Sequence, residues 1–326
     1  MRRYLVSKIN VALMGFVIGM LCSLILTTTL NFYHPTLLII EPSHSKHSGH
    51  HEGETILVDQ LAQAMPVMAF IFTSKDGLTN RVSQVKSTWA KRFNEVVFFS
   101  YETNPPFHIV SLTPAKGWAY TRSAIAYIHE NYGQNFAFFM KAQDNNYVIV
   151  ENLRELLRTI DPEKPLLIGR QMKAKDGSTY MMEEAGYVIS RAGLRKLAAA
   201  IKDDIGACRT SNSHTGQVIG KCAEAAGLEL MHAVDENKLE FFHPFPPRDF
   251  FNKLVKEKYT NQTVYQPSQM NEIITSCSER SISFFNVQES CLYLLEYFSY
   301  HLYPYGIIRN PENYQEIWRL REHSTR

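Results

Sequence analysis

Phe136-Ala137-Phe138-Phe139-Met140-Lys141-Ala142-Gln143-Asp144-Asn145-Asn146-Tyr147-Val148-Ile149 is the stretch on which the reading of this chain turns. Residues 136–140 form a short apolar run of strand length, polar residues from Lys141 to Tyr147 make a loop, and residues 148–160 follow with helical spacing that stops before Pro162. The same alternation extends outward. Residues 67–73 read as a first buried strand, and residues 81–93 place Val82, Val85, Trp89 and Phe93 on one helical face. Residues 96–100 are again strand-like, and residues 118–132 form a helix with Ala124, Ile125 and Ile128 in its buried stripe. Downstream, residues 166–168, 180–182 and 187–189 read as strands. Residues 191–202 form a helix capped by Ser190, and residues 218–226 a helix closed by Gly227. Strands alternating with helices of this length predict an α/β fold with a mostly parallel mixed sheet covered on both faces, and ligands in such sheets bind beyond the carboxyl ends of the strands. Residues 241–251, dense in aromatics and prolines, are either an irregular loop packed on the core or the lining of a cleft.

The ends set the organisation. Residues 11–30 carry no formal charge, and as a helix they reach about 30 Å, the thickness of a hydrocarbon core. Arg2, Arg3 and Lys8 precede them and the first acidic residue after them is Glu41. This charge bias predicts an N-terminal transmembrane helix acting as signal anchor over residues 9–30, a cytosolic tail of residues 1–8 and a lumenal remainder, a single-pass type II arrangement. A cleaved signal peptide is the alternative. Residues 31–64 read as a flexible lumenal stem, in which His44, His47, His50 and His51 are either spacer or a loose transition-metal site. Residues 65–310 read as one domain, followed by a C-terminal tail of residues 311–326.

A net charge of +2 with no basic stripe argues against nucleic acid as a partner. Cys22 falls in the anchor, which leaves Cys208, Cys222, Cys277 and Cys291 in a compartment that permits disulfides. No CxxC is present. Asn261-Gln262-Thr263 is a glycosylation sequon.

At the carboxyl end of a parallel strand, a nucleotide-sugar enzyme would hold a divalent metal with paired carboxylates, because two of them can oppose the charge of a diphosphate and its metal together. The loop here has one, Asp144. Asn145 can lend a carbonyl oxygen, a weaker donor for a hard dication. On their own these residues read as a polar loop.

Five segments taken in order carry a resemblance: Val85-Lys86-Ser87-Thr88-Trp89-Ala90-Lys91-Arg92, Phe139 through Ile149, Glu184-Ala185-Gly186-Tyr187-Val188-Ile189-Ser190, Phe242-His243-Pro244-Phe245, and Leu295-Glu296-Tyr297 with Tyr300-His301-Leu302 and Pro304-Tyr305-Gly306. Together they resemble the core 1 β-1,3-galactosyltransferase group of glycosyltransferase family 31, which includes the catalytic T-synthase and its catalytically silent, chaperone-like relative Cosmc. The resemblance implies a glycosyltransferase A-type (GT-A) domain. In an active member it implies UDP-galactose as donor, Mn²⁺, and GalNAc on serine or threonine of a glycoprotein as acceptor. It places the metal and donor site at Lys141, Gln143, Asp144 and Asn145, and the substrate cleft near Trp89, Gly186, Tyr187 and His243, although Trp89, Tyr147 and Tyr187 also read as packing residues.

Four departures converge on that cleft. The family's three consecutive aspartates become Gln143, Asp144 and Asn145, and an acidic pair near the acceptor becomes Thr215 and Gly216. A metal-binding histidine becomes Phe285, and a double glycine becomes Glu183 and Glu184, two weak candidates for a catalytic base. Cys208 and Cys222 match family positions, and the resemblance implies that they pair. Two family cysteines are replaced by Phe93 and Ser276, and Cys277 with Cys291 is either a further disulfide or two free thiols.

Three functions remain open on these residues. The first is a non-catalytic, Cosmc-like partner of a galactosyltransferase client, needing no cofactor. The second is an active Mn²⁺-dependent β-1,3-galactosyltransferase, and the third a glycan-binding protein of the Golgi. Residence in the endoplasmic reticulum or the Golgi, and homo-oligomerisation, are left open as well.

Overall fold

The computed structural model describes residues 55–102, 109–112, 117–173, 179–209, 215–251 and 277–302. The expected cytosolic tail, signal anchor, stem histidines, Asn261 sequon and C-terminal tail lie outside the described residues. Among the described residues no helix is long and apolar enough to cross a membrane.

The chain opens with α1 (Thr55–Ala64), at the end of the stretch read as stem; it lies against α5, and Ala62 accepts a hydrogen bond from Asn94 Nδ2 at 2.9 Å. Then come β1 (Val67–Phe72), α2 (Lys75–Asn80), α3 (Val82–Ser87), a 3₁₀ turn at Ala90–Arg92, β2 (Glu95–Ser100), β3 (Ile109–Ser111), α4 (Trp118–Tyr132), β4 (Phe138–Gln143), β5 (Tyr147–Val148) and α5 (Val150–Leu157). After these follow β6 (Leu166–Gly169), β7 (Gln171–Lys173), β8 (Thr179–Met181), β9 (Tyr187–Ser190), α6 (Arg191–Lys202), a 3₁₀ turn at Gly206–Cys208, α7 (Thr215–Ala225) and β10 (Glu229–His232). The last described elements are β11 (Phe242–His243), a 3₁₀ segment at Pro247–Phe251, β12 (Ser283–Phe284) and α8 (Glu289–Tyr300).

Seven strands form the main sheet in the order β10-β6-β9-β4-β1-β2-β3. All neighbours are parallel except β9, which runs antiparallel between β4 and β6. The fold is α/β with a mostly parallel mixed sheet, as the alternation predicts and consistent with GT-A, and the strands at 67 and 138 are direct neighbours. Successive strand residues serve opposite faces. Ala69, Ile71, Met140 and Ala142 join Val85, Trp89, Leu153 and Leu292 in one core layer. Phe70 and Phe139 join Trp118, Ile125, Leu197 and Ile219 in the other. A small sheet, β11-β12-β5, flanks the carboxyl end of β4.

Four local expectations need correction. The helix expected over residues 81–93 is broken into α3 and a 3₁₀ turn. Thr88 leaves helical geometry and its Oγ1 donates to the Gln84 carbonyl at 2.7 Å, a side-chain bond that competes with the helix ladder. Even so, Val82, Val85, Trp89 and Phe93 all stay buried. Lys141 to Gln143 are strand rather than loop, because β1 and β9 supply partners on both sides of Lys141. Val148 belongs to β5, paired with Ser283, so helix α5 starts two residues later. Within residues 241–251, Phe242 and His243 form a strand, and Phe241, Phe242 and Phe245 pack inward.

Cys208 and Cys222 form a disulfide that ties the 3₁₀ turn at Gly206–Cys208 to α7, whereas Cys277 and Cys291 are free thiols.

Candidate functional site

β1 and β4 end side by side, and the residues just past them meet. The Asp144 amide donates to the Phe72 carbonyl at 3.0 Å, and Thr73 Oγ1 donates to Asp144 Oδ2 at 2.7 Å. The carboxylate lies against Gly77, where an added Cβ would stand 1.9 Å from Oδ2, so only glycine admits it. Burial pushes the Asp144 carboxyl above the usual aspartate range, against the opposing pull of Thr73, Arg81 and the Ser74 backbone.

Beside it, Asn145 Oδ1 is buried without a hydrogen-bond partner, while its backbone carbonyl accepts from Val287 N at 2.9 Å. Asn146, which the sequence reading passed over, holds the turn together. Its Oδ1 accepts from Gln143 N at 2.7 Å and its Nδ2 donates to the Glu184 carbonyl at 3.0 Å, binding the β4 turn to the segment before β9. An asparagine three residues past a strand-end amide is a turn-forming pattern, and that was the signal available.

Lys141 is fully buried, its Nζ 3.1 Å from Glu183 Oε1 and 5.3 Å from the Phe72 ring centroid. Gly186 has φ +81°, and a Cβ there would come within 2.9 Å of the Lys141 carbonyl. This fixes the glycine sterically, whatever the chemistry. Glu183 is therefore engaged with Lys141, and both Glu183 and Glu184 are only half-buried.

Thr215 and Gly216 open α7, and a Cβ on Gly216 would lie 2.3 Å from the Met181 carbonyl oxygen. Phe285 presents a ring without a donor atom, and its amide donates to the His243 carbonyl at 3.0 Å. The remaining cleft candidates are core residues. Trp89 is fully buried and packs edge-on to Phe93. His243 is buried, stacks on Phe284 at 4.9 Å and meets Ser281 Oγ at 3.0 Å through Nε2; burial, reinforced by the Arg170 charge, holds its pKa well below the usual histidine value. Tyr187 is fully buried, and burial drives its phenol well above the usual range. Trp89 and His243, expected near a substrate cleft, are both buried.

Among the described residues no three His, Cys, Asp or Glu side chains gather as a metal site. The donor set at the turn is one carboxylate already bonded to Thr73, one amide oxygen and a phenyl ring. Mn²⁺, which favours about six oxygen or nitrogen donors, does not fit it.

Tyr147, just past the turn, leads to a second polar cluster that the sequence did not announce. Arg92 grips Glu296 with both terminal nitrogens, at 2.9 and 2.7 Å, and Tyr147 donates its hydroxyl to the same carboxylate at 3.2 Å. Lys91 adds a contact at 3.1 Å, and the Arg92 guanidinium lies 3.6 Å from the centroid of the Tyr300 ring. This network clamps α8 to the domain.

Residues 64–272, well over half the chain, match the model of the Fringe-like family. The chain belongs to the Fringe-like family. This Fringe-like chain is 31% identical over 257 residues to glycoprotein-N-acetylgalactosamine 3-beta-galactosyltransferase 1 of Xenopus laevis, across 76% of the chain and 70% of that protein. It is 25% identical over 182 residues to chondroitin sulfate synthase 3 of Mus musculus, covering 48% of the chain and 20% of that protein. The Homo sapiens chondroitin sulfate synthase 3 matches at 25% over 180 residues with the same coverage. The chain is a galactosyltransferase-like member of glycosyltransferase family 31, as its motifs imply.

Proposed function

We propose that this Fringe-like protein is a non-catalytic relative of the core 1 galactosyltransferases that acts by protein recognition, as a Cosmc-like chaperone or partner of a galactosyltransferase. The observation that carries the reading is Gly216. Where the family resemblance places a carboxylate near the acceptor, even a Cβ would collide with the Met181 carbonyl, so the backbone itself has closed around the missing side chain. An inverting transfer needs a base for the acceptor hydroxyl, worth about 10²- to 10⁴-fold, and charge stabilisation for the departing diphosphate. Thr215 at an ordinary hydroxyl pKa is no base near neutral pH, Glu183 is spent on Lys141, and the β4 turn offers a single carboxylate. The retained motifs are accounted for by packing: Trp89, Tyr147 and Tyr187 are core residues that a binding protein needs as much as an enzyme does.

The same reading places the domain in the lumen of the endoplasmic reticulum or Golgi behind an N-terminal signal anchor. The Cys208–Cys222 disulfide supports an oxidising compartment, and the charge-free run of residues 11–30 supports the anchor. The test is a transfer assay with UDP-galactose, Mn²⁺ and a GalNAc-serine acceptor, paired with co-expression of a galactosyltransferase client. Background turnover together with a raised yield of active client is the expected result; metal-dependent turnover that Asp144→Ala abolishes would overturn it.

An active UDP-galactose-dependent transferase is the second reading. The buried Asn145 Oδ1, an oxygen donor without a hydrogen-bond partner beside Asp144, favours it, and so does the activity named for the Xenopus relative. The same transfer assay separates the two.

A further inference from the structure

The Lys141 ammonium lies among side chains of three strands and a turn. Its Nζ is 5.3 Å from the ring centroid of Phe72 on β1 and 6.0 Å from that of Tyr187 on β9, and it meets Glu183 twice, 3.1 Å from Oε1 and 3.3 Å from the backbone carbonyl. The lysine has no exposed surface, so its charge has to be balanced locally. Tyr187 adds a buried hydroxyl without a hydrogen-bond partner in the same packed layer as Phe72.

Glu183 is placed as a stopper. Its side chain is 13% exposed while Lys141 and Tyr187 are wholly covered, so the carboxylate stands between the ammonium and solvent. The backbone around it is pinned. Met182 N donates to the Arg170 carbonyl at 2.8 Å, the Glu184 carbonyl accepts from Asn146 Nδ2 at 3.0 Å, and Gly186 N donates to the Glu183 carbonyl at 3.0 Å. Rotation of the Glu183 side chain alone therefore uncovers Lys141. The place is the carboxyl half of β4, towards the end at which sheets of this kind take their ligands.

A carboxylate on a buried lysine is one oxyanion in a site that fits others. A phosphate group carries about −1.5 to −2 at neutral pH and several strong acceptor oxygens, which makes it the ligand class able to replace a singly charged carboxylate on a lysine point charge. We propose that Glu183 is an internal stopper that keeps a phosphate-binding pocket at Lys141 closed, and that a phosphate or diphosphate group enters when the carboxylate swings out. Because the carboxylate is tethered, it competes at an effective concentration that a free oxyanion matches poorly, and the pocket is shut at rest. The inference goes beyond the proposed function and holds under either reading of the activity, since it needs no metal, no acceptor and no transfer.

Melting curves of the full chain in EDTA, with inorganic pyrophosphate or UDP, test it. Glu183→Gln removes the charge of the stopper, and pyrophosphate at about a hundred times its Kd is expected to raise the Tm of that variant by roughly 5 °C. The unaltered chain should bind at least about tenfold more weakly, because its own carboxylate competes. Glu183→Gln combined with Lys141→Met should not respond. Glu183→Asp, which keeps a counter-charge on a shorter side chain, should show a smaller gain in the same direction and carries the test if Glu183→Gln fails to fold. No response in either variant would overturn the proposal, as would equal binding by the unaltered chain or a response that survives the loss of Lys141. Stabilisation by UDP with none by pyrophosphate would also overturn it, since recognition would then lie with the nucleoside.

Discussion

Lys141 and Glu183 form an ion pair, 3.1 Å from Nζ to Oε1, at the point where β4 meets the turn before β9. Lys141 has no exposed surface and the Glu183 side chain is 13% exposed. Glu183 therefore neutralises a cation that has no access to solvent.

Removing that carboxylate should be costly. Glu183→Gln leaves the Lys141 charge buried without a counter-ion and is expected to lower unfolding free energy by about 3 kcal/mol. Urea denaturation measures it, and adding Lys141→Met to the variant should recover most of the loss. A change within about 0.5 kcal/mol, typical of an exposed pair, would mean that water reaches Lys141.

An acid placed at residue 216 should destabilise the domain. Gly216→Asp must push its Cβ off the Met181 carbonyl, and the overpacking is expected to cost about 1–3 kcal/mol. Thermal melts with and without Mn²⁺ give the readout: the variant should melt lower in both, and a metal-induced rise confined to it would show a competent site.

The Arg92 clamp makes stability depend on pH. Burial pushes the Glu296 carboxyl up, but the hydrogen bonds and charges of Arg92 and Lys91 outweigh it and hold the group below the usual glutamate range. A depressed folded value means that the stabilisation is present above the unfolded pKa of about 4.3 and is lost as pH falls through the folded value. Glu296→Gln is expected to cost about 2 kcal/mol at neutral pH and to flatten the acid limb of the stability profile below about pH 4. Parallel acid limbs for the two proteins would refute the assignment.

The disulfide should be structural. Cys208 and Cys222 are 14 positions apart, and opening a loop of that length costs about 3 kcal/mol in the chain-entropy estimate. Cys222→Ala should lower both the melting temperature and the secreted yield of the domain. Mass mapping without reduction should recover the two cysteine peptides joined, and free alkylation of both would contradict the pairing.

The sequence by itself determined the α/β alternation, and it did so where period and caps agree. The helices Trp118–Tyr132 and Arg191–Lys202 begin and end where spacing, and for the second the Ser190 cap, put them. Of the two strands at the centre of the sheet, β1 is apolar throughout and β4 from Phe138 to Met140, as strands buried on both faces tend to be. The family was legible in ordered motifs, and so was the single carboxylate of the loop after β4, because a side-chain type can be read without coordinates.

Tertiary structure alone decided what the surviving residues do. Periodicity is a property of neighbours in the chain, whereas burial, ion pairing and the room for a Cβ depend on segments far apart in it. Trp89 and His243 therefore became core residues, and Asn146 became the hub of the turn. The antiparallel course of β9 could not be foreseen either, since a buried strand has the same composition in both directions. Gly216 is the sharpest case: the sequence shows only a glycine, and the Met181 carbonyl, brought beside it by the packing of α7 on β8, shows that no side chain would fit without a shift.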